Sequence, residues 1–193
     1  QTGFKKLLIF KTLELGKKKL NKQKLNFIEI LIDFFLQFLV RKKIQNQFGG
    51  NLQTFISGGG ALDKEIGEFL NAIGLPTLQG YGLTEASPVV SCNLPNLVKV
   101  ETVGPPFSTN KVKIAEDGEI LVKGENVMLG YWNKPEDTKE VIKNGWLHTG
   151  DIGECDINGF LKITDRKKDI IVNLGGDNIS PTKIENLLCL NEK

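Results

Sequence analysis

The sequence is poor in the residues that build disulfide frameworks and metal centres. Its three cysteines, Cys92, Cys155 and Cys189, lie far apart with no CxxC pair, and His148 is the single histidine. That pattern gives neither a stapled scaffold nor a zinc site, so the expected compartment is the reducing cytoplasm. Long apolar runs are also lacking. The most apolar stretch, 27–40, is too short to cross a bilayer and carries Glu29 and Asp33, so it reads as a buried or surface-seated helix. No secretory core with a small-residue cleavage site is visible near the start. The net charge is only +2, which argues against a dedicated nucleic-acid binder, and nucleic acid is not an expected partner.

What is present is ordinary globular material: 193 residues that are 40% apolar can bury a core in one domain or two small ones. Charge is unevenly spread, with eleven Lys/Arg against three Asp/Glu in residues 1–50. A basic, Phe-bearing end of this kind reads either as a solvated helix surface or as a peripheral contact with an anionic membrane.

Residues 5–47 read as helices, because Ile28, Leu31, Ile32, Phe35, Leu36 and Leu39 follow three-and-four spacing. Gly49 and Gly50 close that region. A strand is predicted over 52–56, then the glycine run 57–60, then an amphipathic helix on Leu62, Ile66, Phe69 and Leu70, with Asp63 in its first turn. A second short strand, 75–78, leads into the run 79–85. Strand, glycine turn, helix and strand together predict a parallel α/β layer. Beyond residue 95 the pattern becomes antiparallel: 111–114 and 119–123 alternate around Asp117-Gly118, a second hairpin surrounds Asn158-Gly159, and 170–174 is a further apolar run ending at Gly175-Gly176.

Four segments carry residue types suited to nucleotide chemistry, each with a plain alternative. The glycines 58–60 let a flat ligand or phosphate approach the backbone, or simply form a tight turn. In 79–85 (QGYGLTE), Tyr81 between Gly80 and Gly82 can lie against a planar base. There Thr84 and Glu85 suit phosphate and Mg²⁺, or Thr84 caps a helix that Glu85 complements. In 146–151 (WLHTGD), where a possible helix ends and a strand opens, Asp151 can bind a ribose diol or occupy a turn, and His148 reads as a packed or hydrogen-bonded residue rather than a base. In 165–169 (DRKKD), Arg166 can clamp a ribose or phosphate oxygen, or the run is a solvated turn.

Taken in order, 57–61 (SGGGA), 79–85, 118–124 (GEILVKG), 130–131 (GY), 145–151 (GWLHTGD) and 165–169 resemble the core motifs of adenylate-forming, AMP-binding enzymes over about residues 50–190. Within that superfamily, the wording of 79–88 (QGYGLTEASP) and of 145–151 is most similar to the long-chain fatty acyl-CoA synthetases. The resemblance implies an α/β fold. Residues 1–95 would belong to the α/β part of a large AMP-binding domain with its helical segment. Residues 96–164 would form an antiparallel, barrel-like β subdomain, and 165–193 a hinge and the start of a small α+β lid.

It also implies roles. The backbone at Gly58, Gly59 and Gly60 would border adenine, with Gly80 and Gly82 in the same nucleotide-binding set and Tyr81 stacked on the base. Thr84 would contact the α-phosphate, Glu85 would hold Mg²⁺, and Asp151 would bind the ribose with help from Arg166. Lys168 would be the hinge, and Gly175 and Gly176 would begin a lid loop near the pantetheine arm of CoA. The implied substrates are ATP, CoA and a fatty acid. The family's phosphate loop is expected before residue 1 and its lid lysine beyond 193, so these 193 residues are expected to be an inactive piece of an active enzyme. A non-catalytic nucleotide-binding remnant and a ligase for another carboxylic acid are the alternatives.

Overall fold

Asn26 opens the most apolar helix with a reciprocal cap: its side chain accepts from Glu29 N, and Glu29 accepts from Asn26 N. The computed structural model describes residues 2–172 together with 178, 179, 181, 184 and 188. They divide into two compact units, one made of residues up to 81 with 92–104, the other of 82–91 with the residues from 105 onward.

In the first unit, α1 (Thr2–Leu20) is followed by α2 (Phe27–Leu36), a π-turn (Gln37–Arg41) and α3 (Lys42–Gln47). The predicted 5–47 helical region is therefore three helices, broken at 21–26 where Asn26 caps the second. Leu15, Leu36 and Val40 form the core of this bundle, with Leu8, Leu25, Ile32 and Ile44 packed against it. Much of the expected apolar face is not covered: Ile28, Leu31 and Phe35 of α2 and Leu39 of the π-turn are exposed, because apolar residues run around most of the circumference. A charged cluster ties the bundle together. Asp33 pairs with Arg41 at 2.7 Å and with Lys19 at 2.8 Å, while Arg41 donates to Ala72 O and Thr12 O. Burial would raise the Asp33 pKa, but Lys19 and Arg41 outweigh it and hold the group below its ordinary value.

The same unit holds β1 (Phe55–Ser57), α4 (Lys64–Ala72) and β2 (Thr77–Gly82), with β1 and β2 parallel in the register Ser57↔Gln79. Asp63 is the N-cap of α4 rather than a first-turn residue, accepting from Ile66 N at 3.0 Å. β2 runs further than 75–78 predicts, because Asn93 N takes up the Gln79 carbonyl at 2.9 Å and keeps the chain extended. Gly80, Tyr81 and Gly82 thus lie in the strand and not in a turn after it.

The second unit contains β3 (Val89–Cys92) except its last residue, β4 (Asn110–Ile114), β5 (Glu119–Gly124), α5 (Pro135–Val141), β6 (Ile142–Lys143), β7 (Trp146–Cys155), β8 (Leu161–Arg166), β9 (Ile171–Val172) and β10 (Asn178–Ile179). β4 and β5 form the predicted hairpin, with Gly118 at φ +83° in its turn. Five strands make an antiparallel sheet in which β7 pairs with β5 on one side and with β6 and β8 on the other. This pairing keeps 146–151 wholly in strand; the helix α5 ends earlier, separated from β7 by β6. Ile120, Val122, Leu147 and Leu161 are the fully buried apolar residues of this sheet. β9 and β10 pair antiparallel as a separate ribbon. Gly175 and Gly176 lie outside the described residues.

Candidate nucleotide site

In the first unit the β1–β2 register sets two glycine segments side by side. A Cβ on Gly58 would meet Gly80 O at 3.6 Å, so the loop 58–60 leaves the sheet next to Gly80 and Tyr81. These are the carboxyl ends of two parallel strands, the end at which open α/β sheets receive ligands. Gly58, Gly59 and Gly60 are exposed, whereas Tyr81 is only 7% exposed.

The second unit carries a cleft of about 890 Å³, lined by Glu85, Tyr131, His148, Arg166, Lys167 and Lys168 among others. Glu85 stands on a 3₁₀ turn, Thr84–Ala86, fixed from the loop after β5. Met128 N donates to Glu85 O at 2.8 Å, and the Asn126 amide donates to Ala86 O and Val89 O. The Tyr131 hydroxyl donates to Glu85 Oε1 at 2.7 Å. That bond, then burial and the negative charge of Glu85 and Asp137, push the Tyr131 pKa up to about 12. Thr84 is exposed and does not line the cleft. Nor does it cap a helix: Leu83 holds the cap position and no side-chain cap bond forms. Gly82 has a packing reason for its missing side chain, since a Cβ there would collide with Pro88 O, the carbonyl to which Leu83 N donates.

Asp151 and Arg166 are brought together as cross-strand partners of β7 and β8, with Arg166 Nε donating to Asp151 Oδ1 at 3.1 Å. Arg166 and Lys168 line the cleft, whereas Asp151 is buried and does not line it.

The sequence reading misses a buried acid at the same cleft. Glu119 accepts from Gly150 N, from His148 Nδ1 and from Lys167 Nζ, each at 3.0 Å, and Lys167 reaches Asp117 as well at 2.7 Å. Burial would raise the Glu119 pKa, yet His148, Lys167 and the Gly150 N–H outweigh it and hold the carboxyl below its ordinary value. Asp117 and then Glu119 raise the Lys167 pKa. Only the motif 118–124 hinted at Glu119, and its alternation gave no sign that the glutamate turns inward.

Among the described residues no group of three or more His, Cys, Asp or Glu can hold a metal ion. A single carboxylate at the cleft still fits Mg²⁺, which is bound through one or two carboxylates together with substrate phosphates rather than in a protein cage. Tyr131 occupies Oε1 of Glu85, and Oε2 has no hydrogen-bond partner among the described residues.

The AMP-binding enzyme family description matches residues 10–132. The long-chain-fatty-acid–CoA ligase FadD15 of Mycobacterium bovis is 44% identical over 150 residues, covering 78% of this chain and 25% of the relative. A long-chain-fatty-acid–CoA ligase of Escherichia coli is 38% identical over 183 residues, covering 89% and 32%. Among solved structures, the O-succinylbenzoate coenzyme A synthetase MenE of Bacillus subtilis, in complex with ATP and magnesium ion, has a TM-score of 0.64 at 32% identity, covering 76% of this chain and 34% of that one. The amide bond synthetase McbA of Marinactinospora thermotolerans has a TM-score of 0.62 at 29% identity, covering 68% and 29%. The chain spans a quarter to a third of the length of these relatives.

Proposed function

The chain belongs to the AMP-binding enzyme family, and from that premise we propose that it carries part of the nucleotide site of a ligase that activates a long-chain fatty acid. The observation that carries the reading is the cleft in which a carboxylate with one open oxygen, Glu85, lines the same wall set as Arg166, Lys167 and Lys168. Cations suited to phosphate beside a carboxylate suited to a hard cation are what handling ATP requires.

In the proposed reaction a carboxylate oxygen of the fatty acid attacks the α-phosphorus of ATP. The bond to the bridging oxygen breaks, pyrophosphate leaves and an acyl-adenylate forms. The thiol of CoA, losing its proton, then attacks the acyl carbon; AMP departs and the thioester remains. Glu85 would hold Mg²⁺ through its open oxygen, and the ion would neutralise charge on the phosphates. Thr84 would donate to the α-phosphate. Asp151, oriented by Arg166, would accept from the ribose hydroxyls. Gly58, Gly59, Gly60, Gly80, Gly82 and Tyr81 would serve the adenine, and Gly175 and Gly176 the CoA arm. Lys168 would be the hinge between a large domain ending near residue 164 and a lid beginning at 165. Screening the developing charge would lower the barrier, and keeping water out of the site would protect the reactive anhydride.

The fatty acid is supported by the two ligases named above; the O-succinylbenzoate and amide-forming neighbours support other acids. Pyrophosphate exchange decides. A polypeptide of the relatives' length should exchange pyrophosphate into ATP with a long-chain fatty acid, whereas these 193 residues alone should not. No exchange with any fatty acid, or robust exchange by the 193 residues, overturns the proposal; nucleotide binding without exchange by the longer polypeptide favours a non-catalytic module. A peripheral contact with an anionic bilayer is a further part of the reading, motivated by exposed Phe4 and Phe10 on the lysine-rich α1 and exposed Phe27 and Phe34 on α2. It requires vesicle binding by the chain that weakens with salt. No helix among the described residues is long and apolar enough to cross a membrane.

A further inference from the structure

The loop after β5 grips the turn bearing Glu85 in two distinct ways. Met128 N and the Asn126 amide hold its main chain, whereas Tyr131 alone reaches the carboxylate. Tyr131 is itself fixed. Its N–H donates to Thr138 Oγ1 at 2.9 Å, and that hydroxyl donates to Lys134 O at 2.8 Å. A side chain at Gly130 would press within 2.8 Å of Thr138 Cγ2, so glycine there lets the loop close on α5. A glutamate on a cleft wall otherwise has three rotatable bonds to order before it can bind an ion.

We propose that Tyr131 is a positioning residue for Glu85, holding Oε1 through its hydroxyl so that Oε2 is presented to the divalent cation that accompanies ATP. The inference rests on the reading of Glu85 as the cation ligand. It assigns Tyr131 no contact with ATP.

The test uses the full-length polypeptide, with Mn²⁺ as a paramagnetic probe titrated in the presence of a non-hydrolysable ATP analogue, and thermal unfolding in parallel. Tyr131→Phe, which keeps the ring and removes the hydroxyl, should weaken Mn²⁺ binding about tenfold without moving the melting temperature, the scale on which partners of metal ligands act. It should also raise the Mg²⁺ concentration for half-maximal pyrophosphate exchange by a similar factor. Glu85→Gln should lose Mn²⁺ binding. If Glu85→Gln binds Mn²⁺ like the wild type, the Glu85 reading fails and takes this inference with it. If Glu85→Gln loses binding and Tyr131→Phe does not weaken it, only the role of Tyr131 is overturned. A weakened affinity that comes with a lowered melting temperature makes Tyr131 a structural residue and also overturns the inference.

Discussion

Asp151 and Arg166 face each other across the β7–β8 ladder in opposite environments. The aspartate side chain is 8% exposed, while the arginine that donates to it keeps 69% of its side chain in solvent. A pair with one partner in water contributes little to stability, so Arg166→Gln should cost less than about 1 kcal/mol in unfolding. Asp151→Asn keeps the size and removes the charge that would accept from a ribose diol. Its affinity for AMP, measured by calorimetry on the full-length polypeptide, should fall about tenfold or more, the worth of a hydrogen bond to a charged group. Unchanged AMP affinity in Asp151→Asn removes Asp151 from the ribose site.

Glu119 links the fold to pH. Its folded pKa lies below its unfolded one, because three donors outweigh its burial. A carboxylate of that kind stabilises the fold above its unfolded pKa, about 4.3, and loses the contribution as pH falls through the folded value. Glu119→Gln should cost about 2 kcal/mol at neutral pH, since Lys167 and Gly150 lose a charged acceptor. It should also flatten the fall of melting temperature between pH 5 and 3, both taken as about the carboxylate range. An acid limb as steep as the wild type's would show that Glu119 does not carry it. His148, Lys167 and Asp117 are the charged or titratable neighbours through which this effect acts.

The sequence displayed the local features well and the long-range pairings poorly. The β4–β5 hairpin was legible because alternation and Asp117-Gly118 are both local signals, and the family was legible because six motifs recur in a fixed order. Tyr131 and Glu85 are 46 residues apart, and neither periodicity nor composition reports such a bond. In 165–169, five charges in a row read as a solvated turn, yet Lys167 is committed to Asp117, 50 residues away. Glu119 was hidden because a polar residue on an alternating strand is expected outside; here Gly150, His148 and Lys167, all distant in sequence, gather around its carboxylate. The apolar excess on α2 was legible as hydrophobicity, but what it packs against is not encoded in its spacing.

Gly124 illustrates how the site depends on a distant close approach. A Cβ there would lie 2.5 Å from Asn110 Oδ1 and 2.6 Å from Asn126 Oδ1. The amide groups of those same asparagines donate to Val90 O and to Ala86 O, so moving them loosens the segment that carries Glu85. Gly124→Ala should therefore cost about 2 kcal/mol, as overpacking does, and should weaken Mn²⁺ binding together with stability. That joint loss sets it apart from Tyr131→Phe, for which affinity alone should fall. A melting temperature equal to the wild type's would mean the asparagines yield freely.

The buried pair Asp33 and Arg41 should show strong non-additivity. Arg41 spans the first unit, pairing with Asp33 at the π-turn while donating to Ala72 O and Thr12 O. Arg41→Met leaves the Asp33 carboxylate in a buried position with Lys19 as its remaining cationic partner among the described residues, an exposed side chain held at 2.8 Å. Removing one member of a buried pair costs about 3–5 kcal/mol, mostly through the charge left behind. Replacing both, as Asp33→Leu with Arg41→Met, removes that orphaned charge but not the two carbonyls that lose their donor. The double variant should therefore be more stable than Arg41→Met alone by about 1 kcal/mol or more, while staying below the wild type. Denaturant unfolding of the four proteins in the cycle measures this directly. Strict additivity would mean that the carboxylate is solvated or protonated in the single variant, and that the ion pair does not hold the helices of this unit together.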